Sequence, residues 1–208
     1  MSEALVKRKR AQKKRAGQFH HGNLAQAVLD EALRCVEKGE EISVRKIART
    51  LRVSDPAIYR HFSNRAVLVA AVGQHGLDAM SRAIHEAGSA HSDPRDALFA
   101  VGSAYIRFAQ AHPGWFRLYF SRSYMDEHGE SPDEAAPSPD SMRATIMMRE
   151  ALAKLVDEDE LDDWFRVLWG LAHGLAGLVT ERAFRRVEKD EERIEAAEAA
   201  LRLTLQRL

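Results

Sequence analysis

An all-α fold of about nine helices is predicted by three observations. Apolar residues recur at helical spacing from residue 23 onward, no alternating pattern of a strand emerges, and several apolar blocks begin at a capping residue or end at a helix breaker. The 208 residues are 45% hydrophobic and 30% charged, enough for one good core or two modest ones in a folded protein.

Taken in order, Asn23 can cap a first helix, about 23–38, that places Ala25, Val28, Ala32 and Cys35 on one face, and Gly39 supplies a left-handed stop. Ser43 can cap a short second helix carrying Val44, Ile47, Ala48 and Leu51. Arg52 and Val53 then make a turn and Ser54 caps a third helix. In the fourth, about 64–88, Ala66, Ala70, Gly73, Leu77, Met80 and Ile84 fall at alternating steps of four and three, a continuous apolar stripe. At roughly 1.5 Å per residue it can link two regions rigidly.

Asp93 and Pro94 start a helix through Ala111, which His112, Pro113 and Gly114 break. Trp115, Phe116, Leu118, Tyr119 and Phe120 form the densest aromatic cluster. The segment 121–140, with three Pro and four Ser, reads as a mobile loop. A helix over about 141–156 follows, then a buried one over about 161–186. The last, about 190–207, carries Ile194, Ala197, Leu201, Leu205 and Leu208 on one face.

One cysteine excludes an intramolecular disulfide and a four-cysteine zinc site. Cys35, on the apolar face of the first helix, reads as inert packing. The stretch after the basic N-terminus is not the apolar block of a secretory signal, which leaves the cytoplasm as the expected compartment. The most apolar run, Val167 to Val179, is 13 residues long and contains His173, whereas a membrane span needs roughly 20. No membrane partner is expected.

The zero net charge conceals a division. Residues 1–65 hold 15 Lys+Arg against 7 Asp+Glu, and the remainder holds 16 against 24. A basic first third joined to an acidic remainder points to one end meeting a polyanion. Much of the surplus lies in Lys7, Arg8, Lys9, Arg10, Lys13, Lys14 and Arg15, within a basic flexible arm over 1–20.

Residues Ser43 to Phe62 have the pattern of a helix-turn-helix. Ala48 is the small residue where two helices cross, and Val44, Ile47, Leu51, Val53, Ile58 and Phe62 pin the pair to the first helix. The polar remainder, Ser43, Arg45, Asp55, Tyr59, Arg60 and His61, is left to face a DNA groove and its phosphates.

At this point the sequence resembles the tetracycline-repressor (TetR) family of transcription regulators. The resemblance is most specific in IARTLRVSDPAIYRHFSNRAVL, residues 47–68. FHHGNL at 19–24, HPGWFRLYF at 112–120 and WGLAHGL at 169–175 are similar to a branch with a C-terminal Trp-x3-His-Gly signature. The resemblance implies that Tyr59, His61 and Ser43 contact phosphates, and that Arg45, Ser54, Asp55, Pro56, Ala57 and Arg60 address bases or their phosphates. Arg65 would serve the anchoring role of the family's lysine. Pro56 lies in a first helical turn, where its missing N–H is not needed.

One position departs from the family pattern. Arg52 stands where the family carries glycine, a residue that tolerates positive φ; the turn is therefore either strained by about 1 kcal/mol or shaped differently. The arm precedes the DNA-binding core by a few residues and is expected to touch the minor groove or phosphates.

The organisation implied is an arm over 1–20, a three-helix DNA-binding domain over 21–65 and a helical effector-binding and dimerisation domain over 66–208. Gly170, Gly174 and Gly177 recur on one face of the penultimate helix and allow another backbone to approach; the last helix can complete a bundle with a second copy. Tyr105, Phe108, Trp115, Phe116, Tyr119, Met147, Trp164, Trp169 and His173 are the residues expected to line an apolar pocket for a small-molecule effector. The resemblance implies a homodimeric repressor on a palindromic double-stranded operator, released by ligand.

Three rival classes stand beside this one. An enzyme is disfavoured by the absence of a Gly-rich phosphate loop, HExxH or GxSxG, and no cofactor is called for. A metal-responsive regulator would draw on His20, His21, His85 or His91, none of which has a close two-ligand spacing with thiolates or carboxylates. A helical DNA-binding or partner-binding protein without an effector is the third.

Overall fold

The computed structural model describes residues 24–121, 124, 139–184 and 187–208. The basic arm, the opening FHHGN and most of the segment read as a mobile loop lie outside the described residues. Among the described residues there are nine helices and no strands: α1 (Leu24–Glu37), α2 (Val44–Leu51), α3 (Asp55–Tyr59), α4 (Arg65–Ser89), α5 (Pro94–Ala111), α6 (Pro113–Tyr119), α7 (Pro139–Leu152), α8 (Leu161–Thr180) and α9 (Asp190–Leu205). No helix among them is long and apolar enough to cross a membrane. The chain divides into two compact units, one ending at Val72 and the other running from Gly73 to Leu208.

In the first unit, α1 buries Leu24, Val28, Ala32, Cys35 and Val36. It ends where Gly39 takes φ +69° and the Glu40 N–H reaches the Cys35 carbonyl at 2.8 Å. Ser43 caps α2 by accepting the Lys46 N–H at 3.4 Å. Val44, Ile47, Ala48 and Leu51 are the buried face of α2, and α3 adds Ala57 and Ile58. Val28, Ile47, Ile58 and Leu68 are fully buried; each contributes about 1.5–3 kcal/mol to holding the helices together. Asn64 caps α4 through its Oδ1, which accepts the Val67 N–H at 2.9 Å.

In the second unit, α5 is the central helix, packed against α7, α8 and α9. Asp93 caps it by accepting the N–H groups of Arg95 and Asp96. Ion pairs tie the helices together at the surface. Arg107 on α5 meets Glu191 and Glu198 on α9 at 3.1 and 2.9 Å, and Arg149 on α7 meets Asp162 on α8 at 2.6 Å.

Two sequence expectations are corrected, and the aromatic cluster, for which no element was expected, gains one. The aromatic cluster after the break at His112 is itself a helix, α6, because Pro113 starts a new turn in which Phe116 N–H bonds the His112 carbonyl. The penultimate helix stops at Thr180, not near 186, since Arg182 turns left-handed at φ +53° and the Ala183 N–H closes on the Leu178 carbonyl. Nor is that helix buried all round: Val167, Trp169 and Leu178 are close to half exposed.

Candidate nucleic-acid interface and interior cavity

The first unit presents its apolar residues inward and a set of polar side chains outward. Arg45, Ser54, Pro56, Tyr59, Arg60 and His61 are exposed. Arg49 and Arg52 are exposed too: Arg49 lies one turn on from Arg45 on the same face of α2, and Arg52 follows at the helix's C-cap. None of these four arginines has an ion pair or side-chain hydrogen bond among the described residues, and the same holds for Tyr59 and His61. A surface that leaves that many donors unpaired can bind a polyanion without first breaking internal contacts.

Other expected contact residues are placed differently. Ala57 is 8% exposed and packs inward. Asp55 is half-buried in the first turn of α3, where a carboxylate suits the helix dipole. The Ser43 hydroxyl is engaged as the α2 cap. Arg65 donates from Nε to the Ile42 carbonyl at 3.0 Å and pairs with Glu41 at 3.2 Å, so it fastens the start of α4 to the loop before α2. Sequence reasoning passed over Arg49, although its spacing from Arg45 is the signal that finds it.

Arg52 settles the open question about the turn. Its φ and ψ are 56° and 40°, in the left-handed region, and its N–H bonds the Ala48 and Arg49 carbonyls. The turn keeps the geometry that glycine would adopt freely and carries the strain of a side chain there.

The second unit encloses a cavity of about 330 Å³, walled by α4 to α9. Met80, Ile84, Val101, Met148, Leu168 and Leu201 supply much of an apolar lining. Of the nine residues expected to line a pocket, Tyr105, Tyr119 and Trp169 do so. His173 stands behind the wall: its Nδ1 lies 2.9 Å from the Tyr105 hydroxyl and its ring stacks on Trp169. Burial pushes the Tyr105 hydroxyl well above its usual range, with Tyr119 adding to the shift, and holds His173 below the usual imidazole range.

The remaining five lie elsewhere. Trp115 is 1% exposed and donates to the Gly73 carbonyl at 3.2 Å. Phe108 packs edge-on against it, and Phe116 packs against Tyr105 and Phe120. Met147 borders a separate groove with Gly88 and Ser89, and Trp164 is half-buried on α8. The aliphatic lining was missed because Met80, Ile84 and Leu168 at helical spacing look like ordinary core.

The apolar stripe of α8 is open to solvent. Val167, Gly170, Gly174 and Leu178 follow one another at steps of three, four and four, and all are exposed. A side chain placed at Gly170, Gly174 or Gly177 would meet nothing within 4 Å, whereas one at Gly73 or Gly76 would overlap Tyr124 or Trp115. Among the described residues no group of three or more His, Cys, Asp or Glu is arranged to hold a metal ion.

Two family models match these two regions: residues 28–72 fit the model for bacterial regulatory proteins of the tetR family, and residues 98–203 fit the tetracyclin repressor-like C-terminal domain. The chain belongs to the TetR family. Like other TetR regulators it is a DNA-binding transcriptional regulator and not an enzyme. It is 32% identical over 82 residues to the HTH-type transcriptional activator FasR of Mycolicibacterium smegmatis. That stretch is 39% of this chain and spans 37% of the relative's length.

Among solved structures, a protein of unknown function from Rhodococcus sp. RHA1 superposes with a TM-score of 0.71 at 23% identity, covering 89% of this chain and 97% of that one. A possible TetR family regulator from Streptomyces coelicolor A3(2) gives 0.62 at 15% identity, covering 86% and 95%. A TetR variant from Acinetobacter baumannii AYE in complex with minocycline gives 0.59 at 17%, covering 86% and 92%. These likenesses establish the shared fold.

Proposed function

We propose that this TetR regulator is a cytoplasmic, ligand-responsive repressor that binds a palindromic operator as a homodimer. The observation that carries the DNA side is the outward set Arg45, Tyr59, Arg60 and His61, exposed and unengaged on a helix pair whose other face is buried. Such a pair reads a major groove with α3 while the flanking side chains hold phosphates. Ser43, Ser54, Asp55, Pro56, Ala57 and Arg65 border or position this surface, and the basic arm of residues 1–20 adds phosphate contacts.

The second copy docks on the open stripe of α8 together with α9, where Leu203 is 58% exposed. Two readers then meet half-sites roughly 34–36 Å apart. Repression is the simplest outcome, because a dimer seated on a duplex excludes other proteins from it without any further contact. A small molecule in the α4–α9 cavity favours a reader spacing that no longer fits; the Acinetobacter protein of the same fold is likewise in complex with a small molecule, minocycline. Weakening operator binding a hundredfold requires about 3 kcal/mol of preference for that form.

The test is the double variant Tyr59→Ala, His61→Ala, measured by gel retardation on DNA selected by the parent protein. Retention falls at least about a hundredfold at fixed salt, each lost phosphate contact also lowering the salt dependence by nearly one unit. Undiminished sequence-selective retention overturns the reading.

A further inference from the structure

Resting on the effector reading above, we infer that the cavity takes an uncharged, mainly aliphatic amphiphile: a chain or alicyclic body bearing one hydroxyl or carbonyl group. Among the described residues that line the cavity there is no Asp, Glu, Lys, Arg or His. An ionic ligand would find no counter-charge among these residues, and a desolvated ion without a partner costs several kcal/mol or must first be neutralised. The lining therefore selects against carboxylates and ammonium groups.

The polar handles agree with that selection. Four lining side chains carry a hydroxyl: Ser81, Tyr105, Tyr119 and Thr145. Ser81 accepts the Ala144 N–H at 3.2 Å, and Tyr105 is bonded to His173 at 2.9 Å. Tyr119 and Thr145 make no side-chain hydrogen bond among the described residues. Burial, with Asp78 contributing, raises Tyr119 above its usual range, so it stays a neutral donor at physiological pH. Two unengaged neutral hydroxyls in an apolar wall match one hydroxyl or carbonyl on a ligand and give an ion little to bind.

The volume sets the scale. A water's share of liquid is roughly 30 Å³, so the cavity of about 330 Å³ holds on the order of ten to twelve non-hydrogen atoms, the size of a medium-chain alcohol. Trp169 lines the cavity while Trp115 and Trp164 do not, which provides an optical report of occupancy.

The test titrates the full chain with octan-1-ol, octanoate and octylammonium at pH 7.5, following tryptophan fluorescence and calorimetric heat. Octan-1-ol binds at least tenfold more tightly than either ion. The conservative variant Tyr119→Phe, Thr145→Val weakens the alcohol about three- to tenfold without altering the ions. Ala172→Phe, which fills the cavity, abolishes alcohol binding, with circular dichroism confirming the helical fold. Ions that match the alcohol, an alcohol indifferent to Tyr119→Phe, Thr145→Val, or no binding by any probe overturns the inference. Ions that bind and are expelled by Ala172→Phe would leave the effector reading intact and replace only the ligand class. Operator release, measured separately with each bound probe, tests that reading itself.

Discussion

Arginine on the outward surface of α2 and α3 is used differently from arginine between the helices of the second unit, although Arg34 and Arg65 of the first unit are themselves paired with Glu31 and Glu41. In the second unit Arg107, Arg117, Arg149 and Arg166 are each paired with a carboxylate within about 3 Å. In the first, Arg45, Arg49, Arg52 and Arg60 are exposed and have no such partner among the described residues. Paired exposed charges contribute little to stability and are already half-satisfied; unpaired ones are available to phosphate. Glycine divides in the same way within the second unit. Gly73 and Gly76 on α4 are crowded by Tyr124 and Trp115, while the glycines of α8 face empty space. Crowding marks what the chain packs for itself, and the empty space along α8 is what the proposed second copy would fill.

The comparison breaks most visibly at α8. Gly174→Trp puts a large side chain where a single chain has room, so the monomer folds unchanged while the second copy is excluded. Sedimentation shows a shift from dimer to monomer, and operator affinity falls more than about a hundredfold as two-site contact is lost. A variant that stays dimeric removes α8 from the interface.

Removing charges sharpens the contrast between the units. Arg45→Ala and Arg60→Ala each weaken operator binding by about 1–3 kcal/mol where the residue reads a base, or lower the salt slope by nearly one where it holds a phosphate. Arg166→Ala, taken from a paired site, leaves both quantities unchanged in the same gel-retardation series.

A smaller effect separates folding from binding within the reader. Arg52→Gly relieves a left-handed arginine and raises stability by about 1 kcal/mol in urea unfolding. No gain there shows that the turn is unstrained.

The smallest effect is a pH dependence in the second unit. Burial lowers the native His173 below its ordinary value, so as pH falls through about 6.5 the unfolded chain takes up a proton that the native ring does not. Stability contributed by the neutral ring is present above that pH and is lost below it, down to the native titration. His173→Gln removes this component, under about 1 kcal/mol for a partly exposed ring, when urea midpoints at pH 7.5 and 5.5 are compared.

The sequence by itself determined the reader and the helix order. Ser43, Asn64 and Asp93 cap their helices through atoms two or three residues away, and the inward set from Val28 to Phe62 follows from helical period alone; such short-range geometry leaves little for the rest of the chain to decide. The departure at Arg52 was legible only through the family resemblance, which left strain and a different shape both open; the backbone decided for the left-handed turn. Tertiary structure decided the rest. Trp115 and Phe116 became packing, Met80 and Leu168 became cavity wall, and Ala57 turned inward, since a side chain's surroundings depend on which helices converge on it. A cavity is the space that six separated helices fail to fill, and no local pattern of residues encodes a gap.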